Sequence, residues 1–94
     1  MTSRLERTTF SNNLRGLRKK RGLRLRDVAR LVGLRDESHV WEWESGRRLP
    51  SLQSVLKLSA ALRCPVEVLF SKRHRAARKE VNERQERFNI NIEY

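Results

Sequence analysis

The stretch Gly22–Gly46, GLRLRDVARLVGLRDESHVWEWESG, decides the fold. Val28, Ala29 and Val32 fall at i, i+1 and i+4, so they share one face of a first helix. Gly33-Leu34-Arg35 interrupts that pattern, because glycine accepts the left-handed conformation that commonly ends a helix. Asp36 can then cap a second helix, accepting from the free backbone N–H groups of the residues after it. On this second helix, about 36–44, Val40, Trp43 and Glu44 share an inner stripe, while Glu37, Ser38, Trp41 and Glu42 turn to other faces. Two short helices joined by a glycine-containing turn make a helix-turn-helix unit, and the second helix of such a unit can enter a DNA major groove.

The flanks supply the rest of a small core. Upstream, Phe10, Leu14 and Leu17 recur at i, i+4 and i+7, which predicts a helix over about 10–20 with Thr9 or Ser11 as its cap. Arg15, Lys19 and Lys20 hold its outer face and Arg21 its end, where basic residues also suit the helix dipole. Downstream, Pro50 breaks the chain and Ser51 can cap a further helix whose inner stripe is Leu52, Val55, Leu58, Ser59 and Leu62. Pro65 fits the first turn of a fifth helix, with Val66, Leu69 and Phe70 closing the core. The fold class is therefore all-α, five helices over 10–70, with a polar arm at 1–9 and a basic extension at 71–94.

Ninety-four residues with 37% apolar content build one modest domain, and the formal charge of +11 points to a polyanionic partner. That charge is uneven. Residues 1–24 carry eight Lys/Arg against one acid, whereas residues 25–46 carry three against five. The unit placed to read DNA is thus an acidic island in a basic chain. Cys64 is the single cysteine, which excludes an internal disulfide and a zinc cluster and fits a reducing cytoplasm. It reads as core packing. No apolar run approaches a membrane span. No acid–base pair at useful spacing, phosphate-cradling loop or matched nucleophile points to an enzyme, so catalytic residues, cofactors and metal ligands are expected to be none. His39 and His74 have no second ligand near them in sequence.

The ordered set Leu17-Arg18, Gly22-Leu23, Val28-Ala29, Gly33-Leu34, Val40, Trp43-Glu44-Ser45-Gly46 and Leu49-Pro50-Ser51-Leu52, continuing through Leu62 to Leu69-Phe70, resembles the lambda-repressor-like (Cro/repressor, Xre-type) DNA-binding domain. The resemblance implies a cytoplasmic transcriptional regulator, bacterial or phage-encoded and nucleoid-associated, that binds double-stranded DNA as a homodimer. By position it implies base contacts from Glu37, Ser38 and Glu42, with His39 and Trp41 beside them. It implies phosphate contacts from Arg47 and Arg48, and a structural ion pair between Arg18 and Glu44. Two departures matter. The slots that commonly hold a serine or threonine cap and a phosphate-binding glutamine hold Arg24 and Leu25, so Arg24 or Arg26 is expected to meet phosphate instead, together with Arg35 in the turn. The turn itself is one residue longer than the commonest form, and a different placement of that residue would slide every base assignment by one.

Beyond Ser71 the resemblance stops. Lys72 to Lys79 is a basic run with few apolar positions, and a helix there would be mostly solvated. Phe88-Asn89-Ile90-Asn91-Ile92-Glu93-Tyr94 alternates at period two, the pattern of a half-buried short terminal strand. A second functional class follows from this tail: a protein-interaction module, antitoxin-like, whose acidic third helix no longer reads bases and whose residues 71–94 hold a protein partner.

Overall fold

The computed structural model describes residues 12–92. Six helices lie among them: α1 (Leu14–Lys20), α2 (Leu25–Leu31), α3 (Ser38–Glu44), α4 (Leu52–Leu62), α5 (Val66–Leu69) and α6 (Ser71–Arg87). One buried cluster joins the first five. It takes Leu14 from α1, Val28 and Ala29 from α2, Val40 and Trp43 from α3, Val55, Leu58 and Leu62 from α4, and Leu69 from α5, with Val32, Cys64 and Phe70 from the connections. Fully burying a side chain of this size stabilises by about 1.5–3 kcal/mol, so this cluster is what holds such short helices in place.

Polar groups fix where each helix starts. Asn12 Oδ1 accepts from the Leu14 N–H at 3.0 Å while its Nδ2 donates to the Trp43 carbonyl at 2.8 Å, tying the start of α1 to the end of α3. Asn13 Nδ2 donates to the Val68 carbonyl at 2.7 Å and to Ser71 Oγ at 3.1 Å, tying α1 to α5 and α6. Ser51 Oγ accepts from the Ser54 N–H at 3.2 Å and caps α4. The helix expected over 10–20 begins at Leu14 within the described residues; Phe10, the proposed caps Thr9 and Ser11, and the arm 1–9 lie outside them.

Helix ends share one device. In α1, α2, α3, α4 and α6 the residue after the last turn is left-handed (Gly22, Gly33, Gly46, Arg63 and Asn89). The next N–H then reaches back five residues, as Leu34 does to the Ala29 carbonyl at 2.8 Å and Ile90 to the Gln85 carbonyl at 3.0 Å. Arg63 adopts this conformation without glycine's freedom, and Arg21 supports the site from α1, donating from Nε to the Leu62 carbonyl at 2.9 Å and from Nη2 to the Arg63 carbonyl at 3.3 Å.

Two expectations are corrected. Leu52 is 74% exposed, because the first position of α4 lies off the stripe made by Val55, Leu58 and Leu62. The described part of the terminal segment, 88–92, is not a strand. Asn89 at φ 54° ends α6 instead, and Phe88, Ile90 and Ile92 are exposed. The basic run forms α6, which buries no residue.

Candidate nucleic-acid interface

The interface begins at α2. With arginine in the cap slot, no side chain of residue 24 accepts from the helix, and Asp27 compensates from inside the first turn. Its Oδ2 accepts from the Arg24 N–H at 2.8 Å and from Arg24 Nε at 3.2 Å. Those two bonds, the backbone one foremost, hold the Asp27 carboxyl below its ordinary pKa. Arg24 keeps an exposed guanidinium, and Arg26 on α2 is exposed beside it.

The turn after Gly33 sets the register of α3. Asp36 Oδ1 accepts from the Ser38 N–H at 2.9 Å and from the Ser38 hydroxyl. The Ser38 hydroxyl, then its backbone N–H, lowers the Asp36 pKa by favouring the carboxylate. The helix opens at Ser38 rather than at 36, and Glu37 occupies the cap position, where it still faces the positive end of the helix dipole. Arg35 is exposed in the turn.

Val40 and Trp43 are buried at 1% and 5% exposure, which fixes the opposite side of α3 outward. That side presents Ser38, Trp41 and Glu42, with His39 at its edge. Trp41 is 45% exposed. Gly46, at φ 75°, folds the following loop back, so that the Arg47 and Arg48 N–H groups both reach the Glu42 carbonyl, at 3.0 and 3.3 Å. The two arginines therefore lie along the helix. The Arg47 guanidinium stands 4.9 Å from the Trp41 ring centre, a cation–π distance. Arg48 Nε lies 3.5 Å from Glu42 Oε2, and His39 Nδ1 lies 3.8 Å from Glu42 Oε1, an ion pair only when the imidazole is protonated.

Behind this face, Arg18 and Glu44 meet. Arg18 Nε donates to Glu44 Oε2 at 2.5 Å and Nη2 to Oε1 at 3.1 Å, while Nη1 donates to the Leu23 carbonyl at 2.9 Å. Both side chains are largely buried, 11% and 6% exposed. A bidentate pair of this kind fixes geometry, here the distance from α1 to the end of α3.

These pairings answer the problem of the acidic island. Of the five acids over 25–46, Glu44 is matched by Arg18, Glu42 by Arg48 and Asp27 by Arg24, and Asp36 is spent on its bonds to Ser38. Sequence reasoning placed Arg47 and Arg48 beside the helix but had no signal for their partners Trp41 and Glu42. It placed Arg15 on the outer face of α1 and Arg21 at its end, with no signal for what either one meets. Arg21 is committed to the carbonyls that end α4, whereas Arg15 borders a hollow of about 190 Å³ shared with Trp41 and Ser45, on the side of α3.

A helix-turn-helix with a buried arginine–glutamate clasp and an exposed third helix flanked by arginines defines a class of DNA-binding domain. The chain belongs to the family described as helix-turn-helix domain, whose model matches residues 9–69. Among solved structures it is similar to the restriction-modification controller protein C.AhdI from Aeromonas hydrophila. The two share 43% identity at a TM-score of 0.57, over 62% of this chain and 86% of that one. No curated protein sequence matches it. The protein is a DNA-binding transcriptional regulator of the lambda-repressor-like, Xre type. Helix α6 lies beyond the family match.

Proposed function

We propose that the regulator is sequence-specific and that α3 enters the major groove with Ser38, Trp41 and Glu42 toward base edges, Glu37 and His39 at the margins. Arg24, Arg26, Arg35, Arg47 and Arg48 meet phosphates on either side. The observation that carries this reading is the return of the Arg47–Arg48 loop along α3, which sets two guanidinium groups directly beside the exposed Trp41 and the half-buried Glu42. A duplex offers both arginines phosphate oxygens in exchange for these partners. Glu42, freed from Arg48, can accept from cytosine N4, and Trp41 can pack on thymine methyl groups. Ser38 can donate or accept at either base type.

The regulator acts as a homodimer on two half-sites about 34–36 Å apart, the spacing that brings both reading helices to one side of the duplex. The controller role of C.AhdI extends to this chain as the biological setting of that activity. Its place of action is the cytoplasm, on the nucleoid; no described helix is long and apolar enough to cross a membrane.

Selection of bound duplexes from a random pool tests the reading. The expected result is an enriched motif with two related half-sites, retained against excess random DNA. Affinity should fall with salt at a slope of roughly −0.9 for each phosphate neutralised. Binding that shows no enrichment, as an interaction module with residual charge attraction would give, contradicts it.

A further inference from the structure

Helix α6 carries a seam that its own domain does not cover. His74, Ala77, Val81, Arg84 and Phe88 recur at alternating steps of three and four, which aligns them along one side of a helix. Val81 is 53% and Phe88 63% exposed, and Ile90 and Ile92 continue the apolar surface at 55% and 47%. At its start the seam runs into an open groove of about 510 Å³ in the elbow between α5 and α6, floored by Val66, Phe70 and Ala77 and rimmed by Glu67 and Glu80.

The charges along α6 choose what can cover it. Residues 71–79 hold Lys72, Arg73, Arg75, Arg78 and Lys79 with no acid, while residues 80–87 hold Glu80, Glu83 and Glu86 against Arg84 and Arg87. A second α6 laid parallel would set two basic halves together and oppose Arg73 to Arg78 of the other copy. Laid antiparallel, each basic half meets the half that contains the glutamates. In the register that stacks Ala77 on Phe88 of the other copy, Val81 meets the aliphatic stem of Arg84. Glu80 then flanks Arg87 of the other copy, and the symmetry axis repeats the pair. Beyond Phe88 the Ile90–Ile92 segment of each copy reaches the elbow groove of the other. That addition matters, because two solvated helices alone fall short of the roughly 800 Å² per partner of a standard interface. The existing Glu80–Arg84 bridge, 3.5 Å long and exposed on both sides, is weak enough to exchange.

We infer that α6 is a dimerisation helix that pairs antiparallel with α6 of a second copy of this chain, with Ile90 and Ile92 seated in the other copy's elbow groove. It deepens the homodimer reading above by naming the interface.

Sedimentation equilibrium of the full chain without DNA tests it. The wild type should show a reversible monomer–dimer equilibrium. Val81→Glu, which drives a carboxylate into the seam, should raise the dissociation constant at least about tenfold. Glu80→Arg and Arg87→Glu should each weaken pairing about tenfold, and the double variant should recover most of the loss, because reversal restores opposite charges only in the antiparallel register. Circular dichroism at low concentration should show unchanged helix content in all variants, since α6 buries no residue. Sedimentation as a monomer up to about millimolar concentration, dimers indifferent to both single reversals, or a double variant no tighter than the singles would each overturn the inference. Site selection stays independent: dimers that ignore α6 yet enrich a two-half-site motif sink this interface alone, and charge-coupled dimers that enrich nothing sink the operator reading alone.

Discussion

Residues 12–70 and helix α6 are both helical, for different reasons. In the first, short helices of four to eleven residues stand because each places an apolar stripe in a shared core. In the second, seventeen residues form a helix without burying one of them. Its composition of Ala, Arg, Lys, Glu and Gln has high intrinsic helix propensity, its first turn is fastened by Asn13 to Ser71 Oγ, and its last is closed by left-handed Asn89. Tertiary packing holds the helix-turn-helix unit, whereas local terms hold α6, which buries no residue.

That contrast can be broken at several points. Glu44→Ala should have the largest effect, lowering stability by about 3–5 kcal/mol, because Arg18 would be left buried without its carboxylate. Chemical denaturation measures it, and an unchanged midpoint would show that the clasp does not hold α1 to α3. Ser51→Ala removes the α4 cap and should cost about 1 kcal/mol in the same experiment. Lys79→Ala in α6 should leave global stability within about 0.5 kcal/mol, as a surface substitution away from any core does. A loss as large as that at Glu44 would mean that α6 belongs to the folding unit.

The smallest effect is local to α3. Asp36 titrates below the ordinary 3.8 because the Ser38 hydroxyl and N–H favour its carboxylate. A carboxyl whose folded value is depressed adds stability that is complete above the unfolded value and disappears as pH falls through the folded one. The Asp36–Ser38 turn should therefore persist at neutral pH and be lost only below about pH 4, within the acid range. An NMR titration of the Asp36 carboxyl should show its inflection below 3.8; one at or above that value would contradict its bonds to Ser38.

Much of the fold was legible because apolar period and glycine agreed. Val28, Ala29, Val32, Val40 and Trp43 mark faces that the core requires, and Gly33 sits where the chain must turn left-handed. Where one pattern served two structures, the reading failed. Phe88, Ile90 and Ile92 alternate like a strand, yet the intervening Asn89 is a residue that tolerates the left-handed cap, and α6 propagated up to it. Asn12 and Asn13 bridge to Trp43 and Val68, 31 and 55 residues away, and no local signal announces such bonds. The same limit applies at the interface: Arg47 and Arg48 are conspicuous in sequence, but that one stacks on Trp41 and the other meets Glu42 depends on how Gly46 folds the loop.

The most direct test of base reading by α3 compares wild type and Glu42→Ala on a selected site and on its single-base variants. The expected result is a loss of discrimination of about 1–3 kcal/mol confined to one base pair, with preferences elsewhere unchanged. A uniform change at every position would contradict it, because Glu42 would then act only by holding Arg48 and α3 would read no base through that side chain.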